Sequence, residues 1–252
     1  MIYNKEEETS IRELTSILCQ ERFQGVQERL EKAGMRKGFC CLFYGAPGTG
    51  KTETVYQIAR KTGRNIMKVD VDKVKSCWVG ESEKNIKAQF DLYRNICSNS
   101  ELAPILLFNE ADAVLGVRKE GATGAVDKME NSIQNILLQE MESLDGIMIA
   151  TTNLTNNLDK AFERRFLYKV RYEKPTLEAR KKIWEIILPG ISSETAQTLA
   201  GKFDMSGGEI ENIARKHTVN AILSGDETID LDKLSEMCQK ERIASKTTRI
   251  GF

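Results

Sequence analysis

The segment at residues 45–52 constrains this chain more than any other part of its sequence. It reads Gly-Ala-Pro-Gly-Thr-Gly-Lys-Thr, which fits the phosphate-binding loop pattern G-x-x-x-x-G-K-[ST]. Glycine has no Cβ, so the backbone N–H groups of such a loop can converge on phosphate oxygens. The helix that follows adds the positive end of its dipole to the same anion. In this pattern Lys51 would reach the β- and γ-phosphates, and the hydroxyl of Thr52 would ligate Mg²⁺.

The flanking sequence supplies the context that this loop requires. Residues 39–44 are an apolar run that predicts a buried strand, and residues 53–60 predict the helix after the loop. The alternative is a glycine-rich turn that merely joins a strand to a helix, and it leaves the complete motif unexplained. We therefore expect ATP and Mg²⁺ as ligands. The predicted nucleotide-binding residues of this segment are Gly45, Ala46, Pro47, Gly48, Thr49, Gly50, Lys51, Thr52 and Glu53.

Strand and helix signals alternate through the middle of the chain, which predicts an α/β fold with a parallel sheet covered on both faces. Further strands are predicted at residues 66–70, 105–108, 147–150 and 167–170, helices at 83–96 and 131–141, and a loop at 116–128. In such sheets ligands bind at the carboxyl ends of the strands, where the phosphate-binding loop falls.

Three domains are expected from these signals. Residues 10–34 carry helical periodicity, so we expect 1–34 to be a helical extension that packs on the core. Residues 35–172 form the predicted α/β domain. Strand signals stop after residue 174, and a helix at 177–188 and a capping box that begins at Ser206 predict an all-helical domain at 173–252.

Composition excludes several classes of function. The 37 basic and 37 acidic residues cancel, so there is no electrostatic case for nucleic acid or an anionic membrane as the main partner. The six cysteines show no C-x-x-C spacing, and the single histidine cannot build a histidine metal cluster. Because no signal peptide or membrane-length apolar run is present, we expect a cytoplasmic protein with reduced thiols.

Two polar residues that are candidates for catalysis follow the apolar run at residues 105–108. Asn109 and Glu110 come directly after it, at the expected carboxyl end of a strand. In P-loop ATPases an Asp at the first position holds Mg²⁺ and a Glu at the second polarises the attacking water. Here Glu110 is the predicted water activator. Asn109 is the metal-site residue beside Thr52, and it offers an oxygen dipole without a charge.

Together these motifs resemble the AAA+ ATPases, in particular the AAA proteins that remodel other proteins. The resemblance extends over about residues 20–250. It implies a P-loop fold with a five-stranded parallel sheet in the order 5-1-4-3-2, flanked by helices, and a small helical lid at 173–252. It also implies ATP hydrolysis, assembly into a hexameric ring and a polypeptide substrate.

The resemblance also assigns two elements near the γ-phosphate. Asn153 matches the sensor position at the end of a strand, where an amide can hydrogen-bond the γ-phosphate or the attacking water. Arg164 and Arg165 lie in a segment that looks like the family's arginine finger, which reaches the nucleotide of a neighbouring subunit. Both arginines carry the planar guanidinium that phosphate recognition uses, so the sequence leaves the choice between them open.

Two further sites are implied by similarity. Trp78 and Val79 resemble the pore loop that grips an extended polypeptide, and the polar residues around Trp78 favour a loop over a buried tryptophan. Gly207 and Gly208 would lie near the adenine and ribose in the lid. Gln24 and Gly25 match the position where main chain borders adenine.

Three functions are compatible with these residues. The first is a ring-forming ATPase that remodels or threads proteins. The second is a nucleotide-dependent switch with weak hydrolysis, because Asn109 removes one carboxylate from the metal site. The third is a DNA-directed AAA+ protein, which the zero net charge disfavours.

Overall fold

The structure is a computed structural model, and it describes residues 1–71, 81–117 and 125–246. The chain divides into two compact units. The sheet unit comprises Glu6–Ala46 and Lys51–Tyr172, and the helical unit comprises Met1–Lys5, Pro47–Gly50 and the chain from Glu173 onwards. Among the described helices, none combines the length and the apolar character needed to cross a membrane.

The sheet unit is built on five parallel strands. They are β1 (Phe39–Gly45), β2 (Ile66–Val69), β3 (Ile105–Phe108), β4 (Ile147–Thr152) and β5 (Tyr168–Tyr172). Their order is β2-β3-β4-β1-β5, and all the described pairings are parallel. This confirms the predicted fold class and strand order. Strands β3 and β4 are buried along their whole length, as expected for strands covered on both faces.

Seven described helices belong to the sheet unit in whole or in large part. They are α1 (Lys5–Ile17), α2 (Gln20–Lys32), α3 (Lys51–Thr62), α4 (Glu81–Ser98), α5 (Asp112–Leu115), α6 (Ala125–Glu142) and α7 (Lys160–Glu163). The predicted loop at 116–128 was wrong for its last four residues, because α6 already begins at Ala125. Residues 118–124 of that predicted loop lie outside the described part of the chain.

The region with helical periodicity, residues 10–34, lies mostly within two helices, α1 and α2. The break lies at Leu18 and Cys19, and Cys19 has an extended backbone. The buried side chain of Arg64 accounts for the break. Its Nε donates to the carbonyl oxygen of Leu18 at 3.0 Å, and another guanidinium nitrogen donates to Gln20 Oε1 at 3.0 Å. A carbonyl released from helical bonding is thus satisfied by a distant arginine, which helical periodicity does not encode.

The helical unit contains α8 (Leu177–Ile187), α9 (Ser193–Lys202), α10 (Gly207–Ser224) and α11 (Leu231–Lys246). Their apolar faces bury Trp184, Leu199 and Ile213 in one core, against which Ile2 also packs. The capping box predicted at Ser206 is confirmed: its hydroxyl accepts from the Glu209 N–H, and the Glu209 carboxylate accepts from the Ser206 N–H. This cap fixes the position of α10, which begins with the glycine pair.

Candidate active site

The phosphate-binding loop begins where β1 ends, at a position that only glycine can occupy. Gly45 has φ 137°, and a Cβ added to it would lie 2.0 Å from the carbonyl oxygen of Tyr172 on β5. Gly48 and Gly50 also have left-handed backbones, with φ 71° and 91°. Their backbone conformations turn the chain sharply before α3 begins at Lys51.

The ammonium group of Lys51 is buried in the sheet unit and makes three hydrogen bonds. Its Nζ donates to the carbonyl oxygens of Gly45 at 2.9 Å and Ala46 at 2.7 Å, and to Asn153 Oδ1 at 2.9 Å. The three acceptors equal in number the three N–H donors of an ammonium group, so each donor has a partner. Burial lowers the pKa of Lys51 from its ordinary value, while the negative charges of Asp112 and Glu110 act in the opposite direction.

A chain of hydroxyl and amide groups connects α3 with the ends of β3 and β4. The Thr52 hydroxyl donates to Asn109 Oδ1 at 2.6 Å, and the Thr151 hydroxyl donates to the same oxygen at 3.2 Å. The Asn109 oxygen therefore lies beside the Thr52 hydroxyl that the loop pattern assigns to Mg²⁺. A carboxylate at this position would bring a charge as well as an oxygen.

Glu110 lies at the exposed tip of β3 in a strained conformation. Its φ is 53°, which is uncommon for a residue other than glycine, and it is the one described non-glycine residue with a positive φ. The backbone N–H of Glu110 donates to Thr151 Oγ1 at 3.0 Å, so Thr151 contacts both Asn109 and Glu110. Strain of this kind is often found at functional sites.

Asp112 is a member of this site that the sequence analysis did not assign. Its Oδ1 accepts from the backbone N–H of Asn153 at 2.7 Å and from the Thr152 hydroxyl, and its Oδ2 accepts from Asn153 Nδ2 at 3.3 Å. Thr151 was missed as well. The available signal was the pairing of β3 with β4, because parallel neighbours bring the residues that follow them to one edge of the sheet.

The residues present fit a nucleoside triphosphate with Mg²⁺. Gly45 ends β1 without a β-carbon, the ammonium group of Lys51 is buried beside the Gly45 carbonyl oxygen, and the Thr52 hydroxyl donates to the Asn109 oxygen. The helix dipole of α3 adds positive potential at its first residue, Lys51.

The comparisons with known proteins decide the family. A sequence model of the family described as "ATPase family associated with various cellular activities (AAA)" matches residues 41–174, which is more than half of the chain. The chain belongs to the AAA family of ATPases. The matched segment of this AAA chain contains the phosphate-binding loop, Asn109, Glu110, Asn153 and the arginine pair.

The chain is similar to several curated proteins that are longer than it is. Protein CdcH of Halobacterium salinarum is 30% identical over 81% of this chain and 28% of its own length. The proteasome-activating nucleotidase of Methanosarcina mazei is 27% identical over 88% of the chain and 54% of its own length. The 26S proteasome regulatory subunit 7 homolog of Saccharomyces cerevisiae is 31% identical over 66% of this chain and 36% of its own length. The chain therefore spans about half of the length of these relatives, or less.

The two arginines of the AAA chain that resemble the finger segment have different surroundings. Arg165 is tied into the sheet unit: Nη1 donates to the Ala161 carbonyl at 2.8 Å, and Nη2 forms an ion pair with Glu142. Arg164 is exposed, and its Nε donates to the Lys160 carbonyl at 3.3 Å. Arg164 and Arg165, which the sequence could not distinguish, thus differ in their exposure and in their hydrogen bonds.

The glycine pair of the AAA chain lies against the phosphate-binding loop within the helical unit. The Gly208 N–H donates to the Gly48 carbonyl at 2.9 Å, and a Cβ on Gly208 would lie 3.2 Å from the Gly48 Cα. The N-terminal residues belong to this unit too. Asn4 Nδ2 donates to the Lys174 carbonyl at 3.3 Å, and Asn4 Oδ1 accepts from the Thr176 N–H at 3.0 Å.

The remaining predicted site residues are placed as follows. Gln24 and Gly25 lie within α2, where Gln24 is exposed, and their role at the adenine stays a prediction. Glu53 is exposed on α3 and accepts from Gln57 Nε2 at 2.7 Å. Trp78 and Val79 lie outside the described residues, so the pore loop also stays a prediction.

Proposed function

We propose that this chain binds ATP with Mg²⁺ and couples its hydrolysis to the remodelling or threading of protein substrates in a hexameric ring. One observation carries the proposal: Lys51, Thr52, Asn109, Glu110 and Asn153 are linked at one edge of the sheet by hydrogen bonds and by the shared contact with Thr151. Membership of the AAA family supports the same activity.

Each of these residues has a definite task in the proposed reaction. Lys51 exchanges its backbone acceptors for phosphate oxygens when ATP enters, because the three groups that accept from its buried ammonium are neutral and a phosphate oxygen is negatively charged. Thr52 turns its hydroxyl oxygen toward the metal. Glu110 accepts a proton from the attacking water as the water oxygen bonds to the γ-phosphorus, and the bond from that phosphorus to the bridging oxygen breaks so that ADP leaves. Thr52 and Asn109 would hold Mg²⁺, which would supply positive charge against the charge that develops on the phosphate.

The proposed ring and polypeptide substrate rest on the relatives and on the arginine pair. One relative is named a proteasome-activating nucleotidase and another is named as a homolog of a 26S proteasome regulatory subunit, so both are named after the proteasome. A guanidinium supplied by a neighbouring subunit would complete each site. We further propose a cytoplasmic location; the cysteines described at 19, 40, 41, 97 and 238 are all free thiols.

Mass in solution and phosphate release, measured together, test the proposal. The chain has a mass of 28.4 kDa. We expect ATP with Mg²⁺ to shift it toward a six-subunit assembly and to be hydrolysed there, with a specific activity that rises with protein concentration. Hydrolysis by a particle that stays monomeric would contradict the ring, whereas a stable complex with ATP and no phosphate release would contradict the ATPase.

Replacing Trp78 by alanine tests the substrate step. We expect ATP hydrolysis to stay within about twofold of the unchanged protein, because the residue lies outside the motifs that bind phosphate. Unfolding of a fluorescent substrate with a disordered tail should be lost. Trp78→Phe is the matched control, since it retains an aromatic grip and should keep most of the unfolding activity. Full unfolding by Trp78→Ala would refute the proposed pore contact.

A specific observation favours a second candidate, a nucleotide-dependent switch with weak hydrolysis. Asn109 contributes a neutral oxygen where a carboxylate is usual, and that oxygen already accepts two hydroxyl groups. Weaker metal binding would slow hydrolysis without preventing ATP binding.

Asn109→Asp distinguishes the two candidates. A carboxylate keeps both hydroxyl contacts and adds a charge, so for a switch we expect turnover to rise by about tenfold, with half-saturation at a lower Mg²⁺ concentration. Asn109→Ala removes the oxygen and is the matched control for simple loss of the contact. Unchanged turnover and Mg²⁺ dependence in Asn109→Asp would remove the reason for the switch.

A further inference from the structure

The carboxylate of Asp112 is the acceptor for three donors at the end of β4. It receives the Thr152 hydroxyl, the Asn153 backbone N–H at 2.7 Å and the Asn153 side-chain NH₂ at 3.3 Å. Asp112 is only half-buried and begins the short helix α5. Two of its three contacts are thus with one residue, the predicted sensor Asn153.

The side chain of Asn153 lies between groups of opposite charge. Its NH₂ faces the Asp112 carboxylate, and its Oδ1 accepts from Lys51 Nζ at 2.9 Å. A carboxylate only accepts hydrogen bonds and an ammonium only donates them. If the amide rotated by half a turn, its oxygen would face a carboxylate and its NH₂ an ammonium, and both contacts would become repulsive.

We propose that Asp112 is a positioning residue that fixes the orientation of the Asn153 carboxamide, so that its oxygen is held on the side of Lys51. Charge-assisted hydrogen bonds are stronger than neutral ones, and the two charged neighbours select the same orientation. The backbone N–H bond adds a second point of attachment, which holds the end of β4 as well as the side chain.

The consequence for catalysis rests on the proposed function. With the NH₂ engaged by Asp112, Asn153 presents an acceptor to the loop side of the site. An acceptor binds Lys51 or a hydrogen of the attacking water, whereas a phosphate oxygen requires a donor. Asp112 therefore selects, between the two roles that a sensor amide could have, the one that orients water.

Reactivity of the Lys51 amine tests the proposal in the protein without nucleotide, so its outcome is independent of ATPase activity. The protein is treated with trace acetic anhydride, and acetylation of Lys51 is measured by mass spectrometry relative to the exposed Lys61 on the same helix. Asp112→Asn should raise Lys51 acetylation by about threefold or more, because the carboxamide is then oriented by Lys51 alone and spends more time turned away, so that Lys51 loses an acceptor.

A double-mutant cycle separates positioning from a simple change of charge. Asp112→Asn also removes a negative charge that acts on Lys51, and this direct effect persists when Asn153 is absent. We therefore expect Asp112→Asn to change Lys51 acetylation much less in an Asn153→Ala background than in the unchanged protein. Equal fold-changes in both backgrounds would overturn the proposal, since Asp112 would then act by charge alone.

Two controls keep the result interpretable. Asp145→Asn removes another exposed carboxylate of the sheet unit and should leave Lys51 acetylation unchanged. If Asp112→Asn does not fold, as judged by circular dichroism, Asp112→Glu replaces it: the longer carboxylate should retain the low Lys51 reactivity. High reactivity in a folded Asp112→Glu protein, equal to that of Asn153→Ala, would refute the positioning role.

Discussion

Glu110→Gln is expected to reduce phosphate release by about 10²–10⁴-fold, the usual contribution of a general base, while ATP binding is retained. Glutamine preserves the shape of the side chain but cannot take a proton from water. The change should not disturb the fold, because the exposed tip of β3 holds Glu110 through its backbone, with the N–H bonded to Thr151. Glutamine and glutamate are both unbranched at Cβ, so the backbone conformation at φ 53° is no harder for glutamine to adopt than for glutamate.

Single-turnover phosphate release and equilibrium nucleotide binding measure the two parts of this prediction. Glu101→Gln is the matched control: it is another exposed glutamate, in the turn before β3, and its loss should leave turnover within about twofold. ATP should also hold the Glu110→Gln protein in its assembled state, since the nucleotide is not consumed. Turnover of Glu110→Gln close to that of the unchanged protein would refute Glu110 as the water activator.

The sequence predicted the centre of the fold better than its periphery. Strands β3 and β4 are short, continuous apolar runs whose burial dictates their structure, and the order of all five strands followed from the family resemblance. The break between α1 and α2 was not predicted, because it depends on Arg64, which lies more than forty residues further along the chain. A local pattern carries no information about such a partner.

The candidate site shows the same difference between what a local sequence pattern indicates and what depends on distant residues. A contiguous motif identifies Lys51 and Thr52, and the end of an apolar run identifies Asn109 and Glu110. The contacts of Asp112 with Thr152 and Asn153 arise only when β3 and β4 are paired in register, since Phe108 then lies opposite Ala150 and the residues beyond them meet. The pairing of β3 with β4 therefore brings Asp112 into the candidate site, which the spacing of residues in the sequence did not indicate.

Arg164 is the arginine that we expect to act across the subunit boundary. Arg165 is held by Ala161 and Glu142 of its own chain, and its side chain is 24% exposed. Arg164 is exposed and donates to the Lys160 carbonyl through Nε, so we expect its terminal nitrogens to reach a neighbouring nucleotide. Arg164→Ala should leave the free energy of unfolding within about 0.5 kcal/mol of the unchanged protein, whereas Arg165→Ala should cost about 1–3 kcal/mol.

The effect of Arg164→Ala on hydrolysis should be large, about 10³-fold or more, because an arginine finger stabilises charge that develops on the phosphoryl group. A mixture of two inactive proteins tests whether the arginine acts in trans. Arg164→Ala retains Lys51, and Lys51→Ala retains Arg164, so a mixed ring contains interfaces in which an intact loop meets an intact arginine. Hydrolysis should therefore reappear on mixing, although each protein alone is inactive. If Arg165→Ala complements Lys51→Ala while Arg164→Ala is fully active alone, the finger is Arg165; if neither pair regains activity, the site is complete within one subunit.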